Sequence, residues 1–171
     1  MEENEEIRGI LLKTRPEYAK TFIENWNETK KPQVFCIYDR RPILKQGDVV
    51  LVYINGLNRL GFYATFIKSE WVRGFKIETE ETRIKERERI WELFGNKQLH
   101  TNDKKEFDNF WKQQAGVRSL VIIEDLKEIK KNIKWKDLKK ILYTNYPRGV
   151  GFIYITNLEI KKIMELIEKS E

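Results

Sequence analysis

Residues 33–68 constrain the fold more than any other part of the chain. They read QVFCIYDRRPILKQGDVVLVYINGLNRLGFYATFIK. β-Branched and aromatic residues fill 33–38 and 48–54, and Pro, Gly and Asn bound both runs, which predicts two strands. Asn55-Gly56 after the second run is a hairpin signal, because a tight primed turn needs positive φ at its centre. A third strand over 60–68 is predicted to pair back. Between the first two strands, Arg40, Arg41 and Lys45 place three cations within six residues, and Pro42 and Gly47 restrict where that loop can go.

The remaining elements follow from periodicity and caps. Residues 7–13 form a strand, and Thr14-Arg15-Pro16-Glu17 predicts a capping box with proline in the first helical turn. Ala19, Phe22, Ile23 and Trp26 recur at helical spacing, so that helix docks an apolar face on the sheet and Trp26 is core. From 78 to 94 charges crowd a helix whose apolar stripe is Ile84, Trp91 and Phe94, predicting a solvated face laced with i,i+4 ion pairs. Asn102 is predicted to cap a further helix carrying Phe107, Phe110 and Trp111, with Gly116 as its stop. Residues 117–123 form a central strand, 135–142 a short helix, and 150–155 the last strand. Thr156-Asn157-Leu158-Glu159 is a second capping box, opening a helix with Ile160, Ile163, Met164 and Ile167 inward. Hairpin signals alternating with isolated helices predict an α+β fold, a mixed and largely antiparallel sheet curled into an open barrel.

At 171 residues the chain makes one domain, 1–171, with the helices of about 78–115 inserted between strands. It carries 33 Lys and Arg against 27 Asp and Glu, a formal +6, which favours a polyanionic partner; a heat-adapted archaeal protein shows similar charge density. The apolar runs are too short to span a membrane, and Glu2, Glu3, Glu5 and Glu6 are unlike a signal peptide, so a soluble, cytoplasmic protein is expected. The single cysteine, Cys36, allows no intrachain disulfide and no cysteine metal cluster, and its apolar neighbours predict a buried, inert thiol. The single histidine, His100, stands in a polar linker and is expected on the surface, not in a metal site. No nucleophile elbow, Walker loop or dinucleotide fingerprint is present, and Gly149-Val150-Gly151 precedes a strand, the wrong side for a phosphate-binding helix. No cofactor and no metal are predicted.

A helix after a first strand, then Arg40, Arg41, Pro42, Lys45, Gly47, Asp48, Val50 and Tyr53 in the pattern R-R-P-x-x-K-x-G-D-x-V-x-x-Y, then Gly61 opening the next strand, resembles the PUA-like superfamily near its ASCH and EVE branches. The resemblance covers residues 5–70 and, more loosely, the strand and helix from Arg148 onward. Where ASCH proteins usually carry G-x-K-x-x-E-x-R before the G-D, this chain has Asn27-Glu28-Thr29-Lys30-Lys31-Pro32. The resemblance implies an open PUA-like barrel, RNA binding, and in EVE-like relatives a pocket for a modified base.

The residues themselves point to the same chemistry. Arg15, Arg40, Arg41, Lys45, Trp71, Arg73 and Arg148, with Tyr38 and Tyr146 beside them, place cations and aromatics on predicted loops. Arginine suits phosphate because its planar fork donates two parallel hydrogen bonds, and a flat ring gives an unpaired base a stacking platform. The expected function is binding of RNA or a modified nucleotide in a basic and aromatic cleft beside the barrel. Two alternatives stand beside it. One is a small ASCH-like amidohydrolase acting on a modified nucleoside, which the resemblance implies would use a lysine and threonine near Thr29-Lys30-Lys31 and a glutamate. The other is a non-catalytic protein-interaction module using the inserted helices.

Overall fold

The computed structural model describes residues 5–38, 40–73, 79–113, 117–142 and 152–169. Six strands form one mixed sheet: β1 (Ile7–Thr14), β2 (Gln33–Ile37), β3 (Val49–Ile54), β4 (Arg59–Trp71), β5 (Ser119–Glu128) and β6 (Phe152–Thr156). Their order is β2-β5-β4-β3-β1-β6, with β1 and β3 parallel and every other pair antiparallel. β2 and β6 are the edges, so the sheet is open, not closed into a barrel. The helices are α1 (Pro16–Thr29), α2 (Glu80–Phe94), α3 (Lys104–Gln113), α4 (Trp135–Lys139) and α5 (Asn157–Glu168).

Both faces of the sheet are covered. In β1, Ile10 and Leu12 join a core with Phe22 of α1, while Leu11 between them joins a second core with Leu138 of α4 and Ile160 and Ile163 of α5. That two-sided burial follows from the strand period of two acting on an uninterrupted apolar run. A third core packs Val34, Leu120 and Ile122 against Leu99, Ile90 of α2, and Phe107 and Trp111 of α3. Each of these large side chains contributes about 1.5–3 kcal/mol through burial, so the inserted helices are bound to the sheet by apolar contacts as well as charge. β4 bridges the sheet because residues 59–65 pair with β3 and residues 62–71 pair with β5, and register shifts at Tyr63/Thr65 and Phe66/Lys68 bend it along the β5 side.

Several sequence expectations change. The β3–β4 connection is a four-residue loop, 55–58, not a two-residue turn, with positive φ at Gly56 and Asn58. Arg15, not Thr14, is the N-cap of α1; Thr14 ends β1, where its carbonyl accepts the Asn55 N–H at 2.9 Å. Asn102 does not cap α3; the Asp103 carboxylate accepts the Lys105 N–H at 2.8 Å, and Asn102 pairs with Asn25 of α1 instead. In α2, Ile90 is buried and Ile84 is exposed, because Glu86 turns inward and accepts bonds from Arg89 and from the Arg73 backbone. The charges of α2 also cross to α3, through Arg87–Asp108 at 3.1 Å and Lys104–Glu88 at 2.9 Å. The capping box at Thr156 and Glu159 is present, and so is the α5 stripe it introduces.

Candidate nucleic-acid interface

The chain after β2 crosses from one sheet edge to the other. Tyr38 is exposed, and residues 40–48 reach β6, where the Ile43 N–H donates to the Tyr154 hydroxyl at 3.0 Å. Buried Asp48 folds the far end of the loop by accepting the Lys45 N–H at 2.8 Å, and Gly47, at φ 98°, donates its N–H to the Phe66 carbonyl at 2.9 Å. These backbone ties leave the cationic heads outside. Arg40 lies over the Tyr154 ring at 5.8 Å, a cation–π contact, and Lys45 is exposed. Arg41 donates to the Ser69 hydroxyl at 3.4 Å, and that hydroxyl donates to the Pro42 carbonyl at 2.9 Å.

Ser69 is two residues before Trp71 on the same face of β4, so the Arg41 side chain reaches the face of the strand that carries Trp71. Trp71 is not on a loop: it is the last residue of β4, paired with Ser119 of β5 and 45% exposed. Arg73 follows, its backbone N–H held by the Glu86 carboxylate. The structure adds Arg118, which sequence reasoning missed. Its N–H donates to the Ile37 carbonyl at 2.8 Å and its carbonyl accepts the Val72 N–H at 2.8 Å, so it is stitched between the ends of β2 and β4 with its side chain exposed. The signal was there, a lone cation in the otherwise apolar start of a strand.

Arg15 stands at the start of α1 beside a different feature. A cavity of about 240 Å³ opens there, lined by Lys13, Arg15, Tyr18, Phe35, Tyr38 and His100 among others. The Arg15 guanidinium lies 5.6 Å from the Tyr18 ring centre and 3.9 Å from Glu17. His100, expected on the surface, is only 4% exposed, with its ring centre 4.4 Å from Tyr18 and 4.3 Å from Phe110. Segment 97–103 buries it by threading between α1 and β2. Gln33 donates to the Lys97 carbonyl at 2.9 Å, Val34 to the Gln98 carbonyl at 2.7 Å, and Asn25 and Asn102 exchange amide bonds at 3.1 Å each. Nε2 of His100 has no hydrogen-bond partner among the described residues. Burial, assisted by the Arg15 charge, pushes its pKa down to about 4, so the ring is neutral at pH 7. Burial likewise raises the Tyr18 hydroxyl above its usual range, so it remains a donor. Cys36 also lines the cavity, but burial pushes its thiol up to about 12, which leaves it unreactive.

Cavity and strand ends are contiguous: Tyr38 lines the cavity and leads into the arginine loop, while Ile37, also on the cavity wall, bonds Arg118. Of the predicted residues, Arg40, Arg41, Lys45, Trp71 and Arg73 belong to the loop and strand ends and Arg15 to the cavity; Arg148, with Tyr146, lies outside the described residues. Lys30 sits at the opposite end of α1, about 20 Å away along the helix, with Nζ 5.3 Å from the Trp26 ring centre. A hollow of about 640 Å³ there is lined by Trp26, Lys30, Thr65, Asp125 and Lys127 among others. Among the described residues no cluster of three His, Cys, Asp or Glu could hold a metal ion, and no helix is long and apolar enough to cross a membrane.

No family model matches the chain, and no curated protein matches it in sequence. Solved structures do match. The ASCH protein of Zymomonas mobilis superimposes with a TM-score of 0.64 at 13% identity, over 93% of this chain and 95% of that one. A hypothetical protein from Leishmania major gives 0.53 at 14% identity, over 97% and 98%. Human THYN1 protein, solved in complex with 5-methylcytosine-containing DNA, gives 0.51 at 14% identity, over 95% and 99%. At such identities the likeness speaks for architecture: the chain has an open α+β fold similar to that of the ASCH protein of Zymomonas mobilis and of human THYN1 protein.

Proposed function

We propose that this chain binds RNA or a modified nucleotide through the arginine-bearing strand ends and the adjoining cavity. One observation carries the reading: Tyr38, on the wall of a ring-lined cavity, precedes the loop that carries Arg40 and Arg41, and Ile37 on the same wall bonds the backbone of Arg118. Sites for drug-sized ligands occupy about 300–1,000 Å³. At about 240 Å³ this cavity suits a single nucleobase, leaving sugar and phosphate outside beside Arg15. Rings supply stacking surface and guanidinium groups pair with phosphate, the division of labour expected for an unpaired nucleotide. The nucleic acid held by human THYN1 protein supports the reading by analogy of fold. Replacing Arg40 and Arg41 together with Ala should weaken RNA binding about tenfold, two contacts of about 0.7 kcal/mol each, with little change in melting temperature. A melting temperature that collapses while binding survives would make these arginines structural and remove the basis of the reading.

The hollow at the far end of α1 favours a second reading. It brings Lys30, Thr65 and Asp125 to one wall, an amine, a hydroxyl and a carboxylate, which is the kind of set an ASCH-like amidohydrolase acting on a modified nucleoside would need. Turnover of acylated nucleosides that Lys30→Ala abolishes would establish it, and absence of turnover by the intact protein would exclude it.

A further inference from the structure

We infer that a polynucleotide seated in the cavity continues along the adjoining end of the sheet onto residues 130–140, whose lysines hold its phosphates. This rests on the nucleic-acid reading above for the ligand and adds a second surface, separate from the arginine loop. The segment reads KKNIKWKDLKK, six lysines against Asp137 alone, which is +5 out of the chain's formal +6. The rest of the chain is therefore nearly balanced in charge. A heat-adapted surface gains from ion-pair networks of both signs, and a six-to-one ratio does not build one.

The fold turns these lysines outward. Ile129, Ile133 and Leu138 are buried in the core they share with α5, the Leu60 N–H donates to the Ile133 carbonyl at 2.9 Å, and the Asp137 carboxylate accepts the Lys134 N–H at 3.0 Å as α4 begins. Lys131 donates to the Leu166 carbonyl at 2.8 Å, while Lys130, Lys134, Lys136, Lys139 and Lys140 are exposed.

Strand register joins this segment to the cavity. Thr14 opposes Ile54, Ile54 opposes Arg59, and Arg59 opposes Lys134, one row across the end of the sheet. Thr14 lines the cavity between Lys13 and Arg15, and three interstrand spacings, roughly 14 Å, carry the row from it to Lys134. Residues opposed in a row share a face, so Arg59 and Lys134 lie on the side of the sheet that carries Ile54 and the Phe22 and Phe35 wall of the cavity. A strand with one base in the cavity covers that distance in about four nucleotides at 3.4 Å of axis each.

The chemistry of the surface selects the partner. Lysine is a hydrated point charge that attracts phosphate without demanding a shape, and neutralising phosphates releases their counterions. A protein partner would need an apolar or aromatic centre, yet Trp135 packs on Tyr53 with ring centres 6.0 Å apart, and no large apolar side chain of 130–140 is exposed. A membrane would need an apolar face to insert, and Leu138 of α4 is already in the core.

The test follows an oligouridine decamer by fluorescence anisotropy over a salt series, and uridine monophosphate by calorimetry, with the intact protein and with Lys134, Lys136 and Lys139 changed together to Gln. The triple variant should bind the decamer roughly ten- to thirtyfold more weakly and lower the slope of log affinity against log salt by about 2, or about 0.7 per phosphate contact. Mononucleotide affinity and melting temperature should hold, and Arg at the same three positions should restore the slope. If the triple variant does not fold, each single Lys→Gln variant should lower the slope by about 0.7. Unchanged decamer affinity and slope would overturn the inference and leave the nucleic-acid reading, which Arg40 and Arg41 test separately, standing. Equal loss of decamer and mononucleotide binding would also overturn it. So would a glutamate decapeptide or phosphatidylserine vesicles bound as tightly as the decamer, which would assign the lysines to an acidic protein or a membrane. Failure of the intact protein to bind either nucleotide probe would remove the reading and the inference together.

Discussion

His100 should make the fold sensitive to mild acid. In the unfolded chain an imidazole titrates near 6.5; in the folded protein, burial among Tyr18, Phe107 and Phe110 with Arg15 nearby holds it at about 4. Above pH 6.5 both states are neutral and the group has no effect on stability. As pH falls the unfolded chain takes up the proton first, so stability declines from about pH 6.5 and the loss is nearly complete below pH 4. At about 1.36 kcal/mol per pH unit the loss is about 1.4 kcal/mol at pH 5.5 and about 3 kcal/mol at pH 4. That is a sizeable part of the roughly 5–15 kcal/mol that holds such a domain together. Charged groups around the ring enter the comparison: Lys13 at the end of β1, Arg15 and Glu17 at the start of α1, and Glu106 of α3. Urea unfolding from pH 7.5 to 4 on the wild type and on His100→Phe separates the imidazole from these, because both proteins share the other groups. The wild-type midpoint should fall with pH relative to the variant by the amounts above. At pH 7 the variant should be as stable as the wild type or slightly more so, since a buried nitrogen without a partner is removed. Parallel curves for the two proteins would refute the argument.

Trp71→Ala should cost about 1–3 kcal/mol of affinity for single strands without changing the salt slope, and its exposed position predicts little loss of thermal stability; the reverse pattern would make it a packing residue. Asn25→Ala removes both amide bonds to Asn102 and should lower unfolding free energy by about 1–3 kcal/mol, with weaker nucleotide binding as segment 97–103 loosens, read from the urea midpoint and a nucleotide titration. Gly9→Ala would drive a Cβ into the Val49 carbonyl oxygen across the parallel β1–β3 pair, and should destabilise the protein by about 1–3 kcal/mol in the same assay.

The strands were legible where both faces are buried. Runs such as 49–54 and 120–123 are apolar without interruption, and a strand covered on two sides needs that. β5 continues to Glu128 through a stretch whose charged residues have the composition of a loop; it remains a strand because β4 supplies partners for Glu124, Lys127 and Glu128 around a bulge where Asp125 takes φ 53°. That pairing is long-range and leaves no mark in local sequence. Trp71 reads as a loop residue for the same reason: a strand's end is fixed by how far its neighbour runs, and Ser119 of β5 extends the ladder to it.

The candidate site divides along the same line. The loop cations were readable because Pro42, Gly47 and Asp48 are local devices that fold a turn and leave arginine outside it. The cavity was not, because it is made by elements far apart in the chain. Tyr18 and Asn25 flank the stripe of Ala19, Phe22, Ile23 and Trp26 that orients α1, but nothing local marks them as a cavity wall, and the burial of His100 depends on amide bonds between residues more than seventy positions apart. A polar segment such as Gln98-Leu99-His100-Thr101-Asn102 carries the composition of a solvated linker whether or not another element satisfies its backbone. What separates the cases is the fate of its hydrogen bonds: here Pro32, Gln33, Val34 and Asn25 take them up, and a histidine between them loses water and charge together. The feature that most distinguishes this cavity therefore comes from the inserted segment, on a scaffold whose loops already hold the cations outside it.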